Sequence, residues 1–391
     1  MSERFISPLV QSVPPSGIRR FFDIAGTMRG AISLGVGEPD FVTPFHIRNA
    51  AIDSLLAGET QYTANRGLLP LRREIAGYIS GRMHVDYDPE SEILVTVGAS
   101  EGIDLSLRMS IRPGDEVLIP DPGYVSYAPC VTLAGGVPVP VRTDMRQGFR
   151  LNAEMLEKYI TPKTRALIFP YPNNPTGVVM NRNDLENIAP VILKHDLLVI
   201  SDEIYCELTY DGDRHASIAS LPGMRERTVM LNGFSKAFAM TGWRLGYACG
   251  PAPMIEQMNK IHQYTIMCAP RQSQVAAAEA LHKGKENQYQ DIETMRRSYD
   301  HRRRLMVDAF QGMGLSCALP GGAFYCFPSI RETGLTSEEF CTRLLREKKV
   351  VCVPGTAFGE AGEGFIRCCY ATGMEQLTEA FRRMKEFVST L

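Results

Sequence analysis

Leu197-Leu198-Val199-Ile200-Ser201 runs directly into Asp202-Glu203-Ile204-Tyr205. The first five residues suit a strand buried on both faces. An acid at the carboxyl end of such a strand is costly to bury without a partner. Short runs of the same kind recur on both sides: Ile93–Val97, Val117–Pro120, Val137–Val141, Ala166–Phe169, Val229–Asn232 and Leu245–Cys249. Amphipathic stretches of helical length, such as Arg182–His195, separate several of them. This alternation predicts an α/β fold of three layers, a mostly parallel sheet with helices on both faces. Ligands of such sheets bind just beyond the carboxyl ends of the strands.

Beyond about residue 280 the pattern changes. A charged amphipathic segment, roughly Lys285 to Met313, leads into a predicted strand over Gly321–Phe327. A helix over Ser337–Lys348, a strand over Phe365–Tyr370 and a terminal helix from Met374 follow. These elements predict a smaller α+β domain, against which Pro14-Pro15-Ser16-Gly17 and the loop around Gly37 would pack. The expected division is residues 46–282 for the large domain, and 1–45 with 283–391 for the small one.

Composition narrows the function classes. Of the 391 residues 44% are hydrophobic and 22% charged, as in an ordinary globular protein, and the formal charge of −2 makes no case for nucleic acid or an anionic membrane. Arg302-Arg303-Arg304 falls within a helical pattern and reads as a solvated face. The ten cysteines include no Cys-x-x-Cys pair, and Cys368 and Cys369 would point to opposite faces of a strand. Reduced, buried thiols in a cytoplasmic protein without a bound metal are therefore expected. Met1–Val13 lacks a long apolar core, so no signal peptide is expected, and no segment has the ~20 apolar residues of a membrane helix.

Four motifs fall at predicted strand ends. In Asn232-Gly233-Phe234-Ser235-Lys236, the lysine follows an apolar strand, where desolvation would lower its pKa and free the amine as a nucleophile. Ser235 and Arg244 supply a donor and a cation suited to a phosphate. In Ser201-Asp202-Glu203-Ile204-Tyr205, a pyridinium nitrogen would be a fitting partner for Asp202, with Tyr205 in reach of the same ring; an N-cap would equally account for the acid. Pro172-Asn173-Asn174-Pro175-Thr176-Gly177 is a turn by composition, and its Asn174 amide could donate to a ring oxygen. Thr96-Val97-Gly98-Ala99-Ser100 runs from strand to helix, where the amides of Ala99 and Ser100 would be free to hold phosphate. Arg367, on the Phe365–Tyr370 strand, could grip a carboxylate with its planar fork. Each element alone also has a purely structural explanation.

In this order and spacing the motifs resemble one family, the class I and II aminotransferases of the pyridoxal-phosphate fold type I group. The resemblance runs from Gly35-Val36-Gly37-Glu38-Pro39-Asp40-Phe41 to Arg367 and Tyr370-Ala371, and its subgroup acts on aspartate, aromatic amino acids or acylated diaminopimelate. It implies a pyridoxal 5′-phosphate cofactor joined to Lys236 as a Schiff base, with Lys236 also the proton shuttle. Asp202 would hold the ring nitrogen's proton, Tyr205 and Asn174 the phenolic oxygen, and Tyr124 would stack on the ring. Ala99, Ser100, Ser235 and Arg244 would hold the phosphate, and Tyr62 would reach the phosphate of a neighbouring subunit. Arg367 and the backbone at Gly37 and Asn174 would bind the substrate carboxylate. The resemblance thus implies a homodimer with shared active sites, moving an amino group from an L-amino acid to a 2-oxo acid such as 2-oxoglutarate. One departure stands out: some aspartate-specific relatives place a lysine where this chain has Ser100, so Arg19, Arg20 or Arg271 would have to serve a distal carboxylate.

A carbon–sulfur β-lyase on the same scaffold shares the lysine, the aspartate and the arginine. A nicotinamide enzyme is a poorer match, because Gly35-Val36-Gly37 lacks the third glycine and meets Glu38-Pro39 instead of a helix start. A DNA-binding regulator on this fold would need an added domain, for which there is neither length nor a basic helix-turn-helix pattern.

Overall fold

The computed structural model describes residues 3–15, 17–18, 28, 30–212 and 214–391. In chain order the strands are β1 (Ile32–Ser33), β2 (Ile93–Thr96), β3 (Glu116–Asp121), β4 (Val137–Arg142), β5 (Thr164–Phe169), β6 (Leu198–Asp202), β7 (Thr228–Gly233), β8 (Gly246–Cys249), β9 (Tyr325–Cys326), β10 (Val350–Val351), β11 (Val353–Pro354) and β12 (Ile366–Cys369). Strands β2 to β8 form one seven-stranded sheet in the order β2-β8-β7-β6-β5-β3-β4. It is parallel from β4 across to β7, while β8 runs antiparallel to both β7 and β2.

Strand alternation builds the three layers. Leu94, Val229 and Leu231 face the helix Gly98–Ser110 and pack with its Ile103 and Leu107. Their neighbours Ile93, Val95 and Met230 face the opposite way, onto Leu71, Ile75 and Ala277 of the helices Leu69–Met83 and Arg271–Glu286. Toward β4 the second face is completed by Leu118, Leu167 and Val199, packed on Leu185 and Ile188 of the helix Arg182–Lys194, which a capping box between Asn181 and Asp184 starts.

The antiparallel β8 has a consequence for function. Because β8 runs backwards between two strands of common direction, its start, Gly246, lies opposite Thr96 at the end of β2. Residues just before β8 therefore meet residues just after β2, β6 and β7 at one sheet edge.

The C-terminal elements form a second core, with an antiparallel sheet ordered β11-β12-β9 and a parallel β1-β10 pair. Phe310, Phe340, Phe381 and Phe387 of its helices pack there with Leu34, Tyr205 and Leu208, so the segment after β6 belongs to both regions.

Three expectations need correction. The Gly321–Phe327 strand shrinks to β9, because Ala323 adopts a positive φ of 57° while Gly321 and Gly322 pack tightly against Val179 and Pro172. The charged segment is broken by Gln288 and Tyr289, both at positive φ, so its long helix spans Gln290–Gln311. Arg302 and Arg303 are buried, not solvated: Arg302 pairs with Asp40, and Arg303 with Asp211, Asp300 and the Pro320 carbonyl. Burial of those guanidiniums is tolerable because each is paired. No helix among the described residues is long and apolar enough to cross a membrane.

Candidate active site

The parallel strands bring their ends to a cavity of about 780 Å³. Asp202 closes β6 and is buried. Desolvation pushes its carboxyl up, opposed by the Tyr127 hydroxyl, which donates to Oδ2 at 2.8 Å, and by the Ile204 amide, 3.3 Å from Oδ1. Lys236 follows β7 by three residues, and its Nζ donates to the Gly37 carbonyl at 2.7 Å. Burial pushes the amine down to about 8, against the opposing pull of Cys369 and Glu38.

Arg244, before β8, and the start of the helix Gly98–Ser110, after β2, form an anion cradle. Arg244 holds a positive φ of 51°, and its Nη1 donates to the Thr241 carbonyl at 3.0 Å. Gly98 is also at positive φ, and a Cβ there would lie 2.6 Å from Arg244 Nη2, so only glycine admits the guanidinium this close. Ala99 and Ser100 present the first turn of the helix, and Ser235 lines the same space.

The opposite wall comes from distant parts of the chain. Arg367, on β12, is buried; Nη1 donates to Asn174 Oδ1 at 2.9 Å and Nη2 to the Gly35 carbonyl at 2.5 Å. With its Oδ1 engaged, Asn174 has its NH₂ left to donate elsewhere. The guanidinium sits between the rings of Tyr325 and Phe358, 4.5 and 4.8 Å from their centroids, and its Nε is buried without a partner among the described residues. Tyr325 pairs its hydroxyl with that of Tyr205 at 2.8 Å.

Every site residue expected from the sequence lines this cavity except Tyr62, whose side chain is 77% exposed on the surface. Arg271, also away from the cavity, bonds Glu59, while Arg19 and Arg20 lie outside the described residues. Tyr127 and Tyr325 were not anticipated. A signal existed for Tyr127, since a buried Asp202 requires a donor besides any ligand; for Tyr325 there was none, because its place depends on tertiary packing alone.

The sequence pattern of the family described as aminotransferase class I and II matches residues 29–384. The chain belongs to the class I and II aminotransferases. It is 49% identical to aromatic-amino-acid aminotransferase 2 of Thermococcus litoralis and 50% identical to an aspartate aminotransferase of Pyrococcus abyssi, with 97% of each chain covered in both cases. The crystal structure of an aromatic aminotransferase from Pyrococcus horikoshii OT3 superposes with a TM-score of 0.91 at 48% identity, over 95% of this chain and 99% of that one.

This aminotransferase is therefore a pyridoxal-phosphate-dependent transaminase, and its cavity suits that cofactor chemically. The Gly98–Arg244 cradle offers a cation and helix amides for a phosphate, Asp202 a buried carboxylate for a ring nitrogen, and Lys236 an amine that burial makes easier to deprotonate than an exposed lysine.

Proposed function

We propose that this aminotransferase prefers L-amino acids with aromatic or other large apolar side chains as donors, and passes the amino group to a 2-oxo acid, 2-oxoglutarate by family resemblance. The observation that carries this is the wall beside Arg367. Phe358 stacks on the guanidinium and packs with Ile18 and Val125, which line the cavity. The cations among the described lining residues are Lys236, Arg244 and Arg367, each with another task. A distal carboxylate would meet an apolar surface there. The Thermococcus litoralis name supports this reading; the Pyrococcus abyssi name supports aspartate instead.

When bound, the cofactor supplies a carbonyl that captures amines and a ring that draws electrons from the substrate Cα. Lys236 Nζ is the nucleophile and carries the proton to and from Cα. Asp202 keeps the proton on the ring nitrogen. Tyr205 and the Asn174 NH₂ hold the phenolic oxygen, and Tyr124 stacks on the ring. Ala99, Ser100, Ser235 and Arg244 hold the phosphate. Arg367, with the backbone at Gly37 and Asn174, orients the substrate carboxylate. The division into 46–282 and 1–45 with 283–391 assigns the cofactor side of the site to the large domain. The ten free cysteines support a reducing compartment, the cytoplasm.

The enzyme works as a homodimer in this reading. Phe45, Ile52, Leu55 and Leu56 of the helix Phe45–Leu56 expose apolar surface, and Tyr62 is exposed a few residues beyond that helix. The 59–65 segment is tied to the 267–272 segment by Gln272–Glu59 and Asn65–Met267 bonds. Such a face suits a two-fold contact. Mixing inactive Tyr62→Phe and Lys236→Ala subunits then restores about a quarter of wild-type activity, since half the dimers are hybrids with one intact site. No recovery in confirmed hybrids removes Tyr62 from a shared site.

Donor preference is tested with tyrosine, phenylalanine, leucine and aspartate against 2-oxoglutarate, following glutamate. A higher kcat/KM for aspartate than for the aromatic donors overturns the preference. Release of a thiol, ammonia and pyruvate from a donor with sulfur on Cβ, such as an S-alkylcysteine, would identify a carbon–sulfur β-lyase.

A further inference from the structure

We infer that Tyr127 is a positioning residue for Asp202, its hydroxyl occupying Oδ2 and so fixing how the carboxylate is presented to the cofactor's ring nitrogen. The inference rests on the role proposed above for Asp202. Tyr127 opens the helix Tyr127–Leu133, and its amide donates to the Tyr124 carbonyl at 3.1 Å. Its ring is buried edge-on against Tyr124, with centroids 5.5 Å apart at 81°, and packs in the core of the helix-covered face. Only the hydroxyl leaves that apolar setting, and it meets Asp202 Oδ2 at 2.8 Å.

An ionised carboxylate accepts and cannot donate, so the phenol is the donor. Among the described residues the other Asp202 oxygen receives one long amide bond, from Ile204 at 3.3 Å. Glu203, next in sequence, turns its own carboxylate away to Ser201, Ser217 and His215. Without the phenol, Asp202 would keep a single weak bond in a buried site, free to rotate about its side chain. One ring thus serves two surfaces: its edge backs the ring of Tyr124, and its hydroxyl holds the acid at the end of β6.

Tyr127→Phe removes the hydroxyl and keeps the ring. The affinity of the apoenzyme for pyridoxal 5′-phosphate and the single-turnover rate of the amino-donor half-reaction each fall by about tenfold to a hundredfold, the range for a hydrogen bond to a charged group. The thermal midpoint stays near wild type. The same substitution in an Asp202→Asn background adds less than about twofold, because the two residues act through one contact. Equal losses in both backgrounds, or no loss in either, overturn the inference while leaving Asp202 in its role. A fully active Asp202→Asn enzyme overturns the reading of Asp202 and the inference with it. If Tyr127→Phe fails to fold, 3-fluorotyrosine at position 127 retains the hydroxyl; its fluorine resonance in the holoenzyme moves on Asp202→Asn, and an unmoved resonance overturns the inference.

Discussion

The two walls of the cavity are built in different ways. On the sheet-edge wall, Ala99, Asp202, Lys236 and Arg244 each sit at or within three residues of a strand end, so one topological fact places them all. On the opposite wall, Ile18, Gly37, Tyr325, Phe358 and Arg367 converge from segments up to about 350 residues apart and are held by stacking and hydrogen bonds. The first wall is set by backbone geometry and the second by side-chain packing. On the roles proposed above, the first would carry the cofactor chemistry and the second would govern what is transformed. Substitutions on the first wall should therefore damage turnover with every donor, and those on the second should discriminate among donors.

The largest effect is expected at Lys236. Lys236→Ala abolishes turnover and leaves no borohydride-reducible adduct to the cofactor; normal activity with an adduct at another lysine would remove Lys236 from its role. The burial that makes it useful is measurable in the apoenzyme. Its amine loses a proton around pH 8, so acylation of Lys236 by an amine reagent rises with a midpoint about there, below the ~10.4 of an exposed lysine. A midpoint shared with the surface lysines would show that desolvation is not at work.

Asp202→Asn comes next. The amide keeps the size of the acid but cannot balance a positive ring nitrogen, and the chemical step slows by about 10³-fold, or ~4 kcal/mol. The slowing should be the same for aromatic and aliphatic donors. A loss confined to one donor class would break the division of labour between the walls.

How far each wall was legible follows from the same difference. Val199–Tyr205 and Phe234–Lys236 could be read directly because an apolar strand running into an acid or a lysine is expensive unless something is waiting for it. Arg244 needed more, since its approach to Gly98 depends on the reversal of β8, which strand composition does not encode. Arg367 was visible as an arginine on a strand, yet its aromatic sandwich was not, because Tyr325 and Phe358 are unremarkable in sequence. The Gly321–Phe327 segment misled for a similar reason: its residue types suit a strand, but Ala323 takes a positive φ as its amide turns to the Leu208 carbonyl.

Arg367→Lys tests the packed wall. Lysine keeps the charge but loses the planar fork and the stacking on Tyr325 and Phe358. The donor KM rises by about tenfold to a hundredfold, while cofactor affinity stays within a few-fold. An unchanged KM would place the substrate carboxylate elsewhere.

The smallest effect is expected at Tyr325, where the two walls touch. Its hydroxyl bonds that of Tyr205, on the sheet-edge side, while its ring carries the Arg367 guanidinium. Tyr325→Phe removes the first contact and spares the second, so kcat falls by about two- to tenfold, as for one neutral hydrogen bond, and donor KM holds. Tyr325→Leu removes both and raises KM as well. Gly37 supplies the sharper version of this test. A Cβ at position 37 would lie 2.3 Å from the Tyr325 hydroxyl oxygen but 3.2 Å from the ring carbon that bears it. Gly37→Ala must therefore push Tyr325 off Arg367 or lift the loop whose carbonyl holds Lys236. Removing the hydroxyl relieves the worse of the two contacts, so Gly37→Ala costs less in the Tyr325→Phe background than in wild type. Simple addition of the two losses would mean that the walls meet without mechanical coupling.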